Sequence, residues 1–112
     1  MTIFEKIAAR EIPAKIIHET DDLVAFHDAN PQAPVHILIV PKKHLARIGA
    51  ATEGDAALLG QLLLAAPTVA RLAGVADSGY RVVINNGRDA GESVPHLHLH
   101  LLGGRHLQWP PG

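Results

Sequence analysis

Three histidines, His96, His98 and His100, occupy alternate positions, with Leu97 and Leu99 between them and Leu101 after them. An extended chain points successive side chains to opposite faces, so this spacing puts three imidazoles on one face and three leucines on the other. Three uses fit such a face. Neutral imidazoles bind zinc at about 2.0–2.1 Å, and His36 could supply a third ligand from another strand. The face could be structural only. It could also be catalytic, because an imidazole is largely neutral near pH 7 and is then a nucleophile without a separate strong base. The residues just before the histidines bear on the choice. The stretch Asn85-Asn86-Gly87-Arg88-Asp89-Ala90-Gly91-Glu92-Ser93 is polar and glycine-containing. Glycines let the main chain approach a ligand, and exposed N–H groups there can hold phosphate oxygens. A phosphate cradle beside an imidazole nucleophile accounts for both segments at once.

These residues need elements to hold them. Thr2 and Glu5 have capping-box spacing, and Ile3, Phe4, Ile7 and Ala8 follow at helical intervals. A short helix is expected over residues 3–9, ended by Pro13. Residues 15–20 and 23–28 are β-prone and flank Asp21-Asp22, which reads as a hairpin. Asn30-Pro31 and Pro34 mark a loop. Residues 35–40 are apolar apart from His36 and read as a central strand. Thr52 is a plausible N-cap for a long helix over residues 53–73, closed by Gly74, with Leu58, Leu62, Ala65, Val69 and Leu72 on its inner face. Pro67 should cost that helix a backbone bond and kink it. Strands are expected over 80–85 and 95–102. Short strands joined by short turns, with helices interposed, indicate an α+β domain built on an antiparallel sheet.

Composition narrows the function further. The 112 residues suit one domain over 1–112. Ten Lys and Arg against 11 Asp and Glu leave no basic footprint for duplex nucleic acid. Cysteine is absent, which removes disulfides, thiolate zinc sites and cysteine nucleophiles. The N-terminal residues lack a secretory h-region, and no apolar run is expected to span a membrane. A cytoplasmic protein is the expectation.

The run His96-Leu97-His98-Leu99-His100-Leu101-Leu102 resembles the motif of the histidine triad (HIT) family. Other segments match in order: Ile3-Phe4-Glu5-Lys6-Ile7, Glu11-Ile12-Pro13-Ala14-Lys15, Ala25-Phe26-His27-Asp28, Pro31-Gln32-Ala33-Pro34, Pro41-Lys42-Lys43-His44 and Trp109-Pro110-Pro111-Gly112. The likeness is to the nucleotide-binding branch of adenosine 5′-monophosphoramidase type. It implies a five-stranded antiparallel sheet with one short and one long helix. It also implies hydrolysis of purine nucleoside phosphoramidates through a nucleotidyl-histidine, with no cofactor and no metal. His98 would be the nucleophile. His96, His100, His36 and Ser93 would assist, and Asn85 would bind phosphate. Asp28 would take the ribose hydroxyls. Phe4, Ile7, Ile12, Phe26 and Ala29 would line the purine pocket, with His27, Val94 and Trp109 also contacting substrate.

Two positions depart from the pattern. Glu92 stands where glutamine is common, and an ionised carboxylate should turn away from a phosphate. Ala29 is smaller than the isoleucine of many eukaryotic members. The resemblance further implies a homodimer whose C-terminal tail reaches toward the partner's site. Other uses of the same superfamily remain open at this level: dinucleoside polyphosphate hydrolysis, or a nucleotide-binding regulatory or interaction role.

Overall fold

The computed structural model describes all 112 residues. Helix α1 covers Ile3–Ala8. Strands β1 (Ile16–Glu19), β2 (Leu23–His27) and β3 (Val35–Pro41) follow. Then come the long helix α2 (Ala56–Leu72) and strands β4 (Tyr80–Val83) and β5 (Leu99–Gly103). The five strands form one sheet in the order β1-β2-β3-β5-β4, with every neighbouring pair antiparallel. β3 is therefore central, as its apolar composition suggests, and it pairs directly with the histidine-bearing β5.

Both faces of the sheet are covered. Ala25, Ile37, Ile39, Leu99 and Leu101 alternate onto one face and pack with Leu62, Ala65, Ala66, Val69 and Ala70 of α2. Val24, Phe26, Leu38 and Val40 alternate onto the other and pack under Phe4 and Ile7 of α1. The short helix thus closes a second, smaller core on the histidine side. Its start is a capping box: the Glu5 N–H donates to Thr2 Oγ1 at 3.2 Å and the Thr2 N–H to Glu5 Oε1 at 3.0 Å.

Several boundaries differ from expectation. α1 stops before Pro13, because Arg10 takes the left-handed conformation (φ 63°) and turns the chain out of the helix. A 3₁₀ turn, Glu53–Asp55, precedes α2, which then runs continuously through Pro67. Leu72 is 57% exposed and belongs to the outer face, while Leu58 is half-buried. Together Glu53–Leu72 make 20 residues, with an 18-residue window of mean hydropathy 1.2, enough in length and composition to cross a bilayer, contrary to the sequence reading. Its buried inner stripe against the sheet marks it as a core helix. β4 ends two residues short of the expected 85. The last strand starts at Leu99, so only His100 of the three histidines lies in a paired strand.

Candidate active site

The histidine-bearing segment enters the sheet gradually. Before Leu99, the chain is held by single bonds rather than a ladder: the Leu97 N–H donates to the Leu45 carbonyl at 2.6 Å. The leucines still alternate inward, with Leu97, Leu99 and Leu101 no more than 2% exposed. The histidines take the opposite side, beside α1. Phe4 meets His98 edge-on at 4.9 Å between ring centroids and His96 at 6.0 Å. His98 and His100 are also edge-to-face at 4.9 Å.

Each imidazole has a different set of partners, and those partners fix its protons. A carbonyl only accepts, so a ring nitrogen bonded to one must carry hydrogen. His98 donates from Nδ1 to the His96 carbonyl at 2.7 Å, which leaves the Nε2 lone pair free. His96 donates from Nε2 to the Pro41 carbonyl at 2.8 Å, and its Nδ1 accepts from the Thr2 hydroxyl at 3.1 Å. His36 Nδ1 accepts the Gln32 N–H at 3.0 Å, so its proton sits on Nε2. That proton points to His100 Nδ1 at 2.9 Å, with Asp28 Oδ2 at 3.4 Å. Burial disfavours the charged form of His36, His96 and His100. It pushes His36 and His96 below the ordinary histidine range, against the opposing pull of Asp28 on His36. His100 is lowered to about 4, by burial first and then by His98 and His36.

His36, His98 and His100 open onto a cavity of about 940 Å³, within the usual range for small-molecule sites. Phe4, Ile7, Ile12, Phe26 and Val94 supply its apolar wall. His27, Asp28, Ala29, His36, Ser93, His98 and His100 supply the remainder of the sequence-predicted lining. Asp28 Oδ1 accepts the Asn30 N–H at 2.8 Å, and each of its oxygens keeps a further lone pair for a hydroxyl.

Four expected site residues lie off the cavity wall. His96 is 1% exposed and sealed behind Thr2 and Pro41. Asn85 is half-buried at the start of the loop, away from the lining. Glu92 is turned aside, and the reason is specific. It accepts from Arg47 at 2.8 and 3.0 Å and from the Gly87 N–H at 3.1 Å. The Arg47 bond, then the Gly87 bond, hold its carboxyl below the usual carboxylate range. Glu92 therefore pins the loop and does not line the cavity. Trp109 is 80% exposed, with the Arg81 guanidinium 6.0 Å from its ring centroid.

Sequence reasoning missed Thr2, Gln32 and Arg47 as parts of this site. Thr2 was legible only as a helix cap. The Gln32 contribution is a main-chain N–H, which no residue type announces. Arg47 has no signal in its neighbourhood that points to Glu92, 45 positions away. Lys15 and Leu38 also line the cavity unforeseen.

An antiparallel sheet that sets alternating histidines beside a small-molecule-sized cavity defines the class. The HIT domain family matches residues 9–107, and the chain belongs to the HIT family. It is 59% identical to an uncharacterized HIT-like protein of Synechocystis sp. over 111 residues, covering 99% of this chain and 96% of that one. Among solved structures, a HIT family hydrolase from Legionella pneumophila is 46% identical, with a TM-score of 0.96 and full coverage of both chains. A histidine triad nucleotide-binding protein from Candida albicans is 32% identical, with a TM-score of 0.81 over 98% of this chain and 83% of that one.

Proposed function

We propose that this protein is a purine nucleoside phosphoramidate hydrolase that works through a covalent nucleotide on His98. One observation carries the reading. His98 is fixed through Nδ1 to the His96 carbonyl, and its unpaired Nε2 belongs to a ring lining the cavity. The base lies against Phe4, Ile7, Ile12 and Phe26, and the ribose hydroxyls meet Asp28. His98 Nε2 attacks the α-phosphorus while the P–N bond to the amine breaks. The amine departs with the bonding pair and takes a proton from water at the cavity mouth. The intermediate is an imidazolium phosphorylated at Nε2, and its Nδ1–H stays on the His96 carbonyl. Water then attacks phosphorus, the histidine leaves as a neutral ring, and AMP or GMP is released. One P–N bond replaces another, so the intermediate is not a deep trap. Correct orientation of the nucleophile supplies much of the acceleration.

Other parts of the reading rest on the surface. Leu63 and Leu64 on the outside of α2 are 53% and 74% exposed, and Trp109 projects into solvent. A second copy covering this surface accounts for them, and the tail would then reach the partner's cavity. We place the homodimer in the cytoplasm. Steady turnover of adenosine 5′-phosphoramidate by the wild type, with release of AMP, tests the reaction class. Absence of turnover across a panel of adenosine and guanosine phosphoramidates contradicts it.

A further inference from the structure

His100 faces the cavity with a partner on one side only. Its Nδ1 is 2.9 Å from His36 Nε2, whereas its Nε2 has no protein partner. No buried polar side-chain atom in the protein lacks a hydrogen bond, so this Nε2 is open to the cavity that His100 lines. The question is which nitrogen holds the proton, and the answer begins at a residue that does not touch the cavity.

We propose that the main-chain N–H of Gln32 sets the protonation of His100 through His36. Near neutral pH His100 is then a neutral Nε2–H donor to the phosphoryl group, not an acid that gives up a proton. The proposal rests on the phosphoryl-transfer reading for its ligand only. The Gln32 N–H, 3.0 Å from His36 Nδ1, cannot reverse its direction. His36 Nδ1 must accept, which puts its single proton on Nε2. Of the two acceptors in reach, His100 Nδ1 at 2.9 Å is nearer than Asp28 Oδ2 at 3.4 Å. His100 Nδ1 therefore accepts, and its own proton is on Nε2. Protonating His100 would set one N–H against another at that 2.9 Å contact. His36 cannot escape by moving its proton to Nδ1, because the Gln32 N–H already fills that position.

The groups facing His100 are His98, His36 and Asp28, and only Asp28 favours a cation there. Burial and the two neighbouring imidazoles act in the same direction as the tautomer lock. The result is an ordered pair beside the cavity. His98 offers a lone pair and His100, its ring 4.9 Å away, offers an N–H. Charge that develops on a phosphoryl oxygen during attack would meet a donor already in place, which needs no reorganisation.

The test reads protons directly. Long-range ¹H–¹⁵N correlation spectra of the full-length, ligand-free protein distinguish the two neutral tautomers and the imidazolium of each histidine. The expected pattern at about pH 7 is Nε2–H for His36 and His100, with His100 still singly protonated at about pH 5.5. Gln32→Pro removes the N–H, whereas Gln32→Ala keeps it. In Gln32→Pro, His36 and His100 should become tautomer mixtures, and His100 should protonate closer to the ordinary histidine range. Gln32→Ala should match the wild type. An Nδ1–H or doubly protonated His100 in the wild type at about pH 6 overturns the proposal. So does a folded Gln32→Pro protein with the wild-type pattern. Should Gln32→Pro fail to fold, the wild-type spectra decide alone. None of these readings needs turnover, so failure of the phosphoramidase assignment is separable from failure of the tautomer lock.

Discussion

At the scale of single residues, the division of labour among the histidines is set by what each ring touches. His98 alone has a locked Nδ1 and a free Nε2, whereas His96 has both nitrogens occupied by the protein. His98→Gly should therefore abolish turnover, with nucleotide affinity retained within a few-fold in equilibrium binding. His100→Asn should slow turnover by a smaller factor, about 10²-fold, through loss of a charge-stabilising donor. Equal losses in the two variants would argue against separate roles. The neutral rings also couple stability to pH. The folded protein holds His36, His96 and His100 below their unfolded pKa. The unfolded chain thus binds more protons in mild acid, and stability rises with pH across that window. This contribution is complete above the unfolded value of about 6.5 and is lost as pH falls toward the folded values. The melting temperature should fall between about pH 7 and pH 5, and His100→Asn should flatten part of that fall. An unchanged pH slope in His100→Asn would show that His100 is not kept neutral.

At the scale of elements, two tethers place the site. One joins α1 to the histidine segment through the Thr2 hydroxyl and His96 Nδ1. Thr2→Val removes both that bond and the side-chain cap, which should cost about 1 kcal/mol in chemical denaturation. It should also raise KM more than it lowers kcat, since Phe4 of α1 lies against His98. The other tether is Glu92, which binds Arg47 and Gly87 together. A Glu92→Gln amide would set its NH₂ against a donor it now accepts from. KM should then rise several-fold with kcat nearly unchanged; an unaltered KM would mean that the loop holds its shape without the carboxylate. Neither tether was legible in the sequence as a link. The alternation of Leu97, Leu99 and Leu101, the central position of β3 and the cap at Thr2 were legible, because each is a local pattern. The early end of α1 at Arg10 and the late start of β5 at Leu99 were not. The start of β5 depends on contacts distant in sequence, Leu97 to Leu45 and His96 to Pro41, and the end of α1 on a left-handed Arg10 that its residue type does not announce.

For the whole molecule, a sheet with two covered faces separates stability from chemistry. The larger core under α2 contains Leu62 at full burial, and none of its side chains enters the cavity wall. Leu62→Ala should lower stability by about 2–5 kcal/mol while leaving kcat of the folded fraction near wild type. The outer face of α2 was misread at Leu72, since helical spacing gives a stripe but not its width. The leucines left outside, Leu63 and Leu64, belong to the proposed dimer. Sedimentation at micromolar concentration should give a dimer for the wild type and a shift toward monomer for Leu64→Glu. A fully active wild-type monomer would contradict that part of the account.

The most direct test of the central claim is rapid quench of the wild type during turnover of an adenosine phosphoramidate, followed by mapping of any attached nucleotide. The account predicts AMP on His98, joined through Nε2, stable in base and labile in acid, and absent from His98→Gly. Turnover without a covalent nucleotide, or a nucleotide attached to another residue, would contradict it.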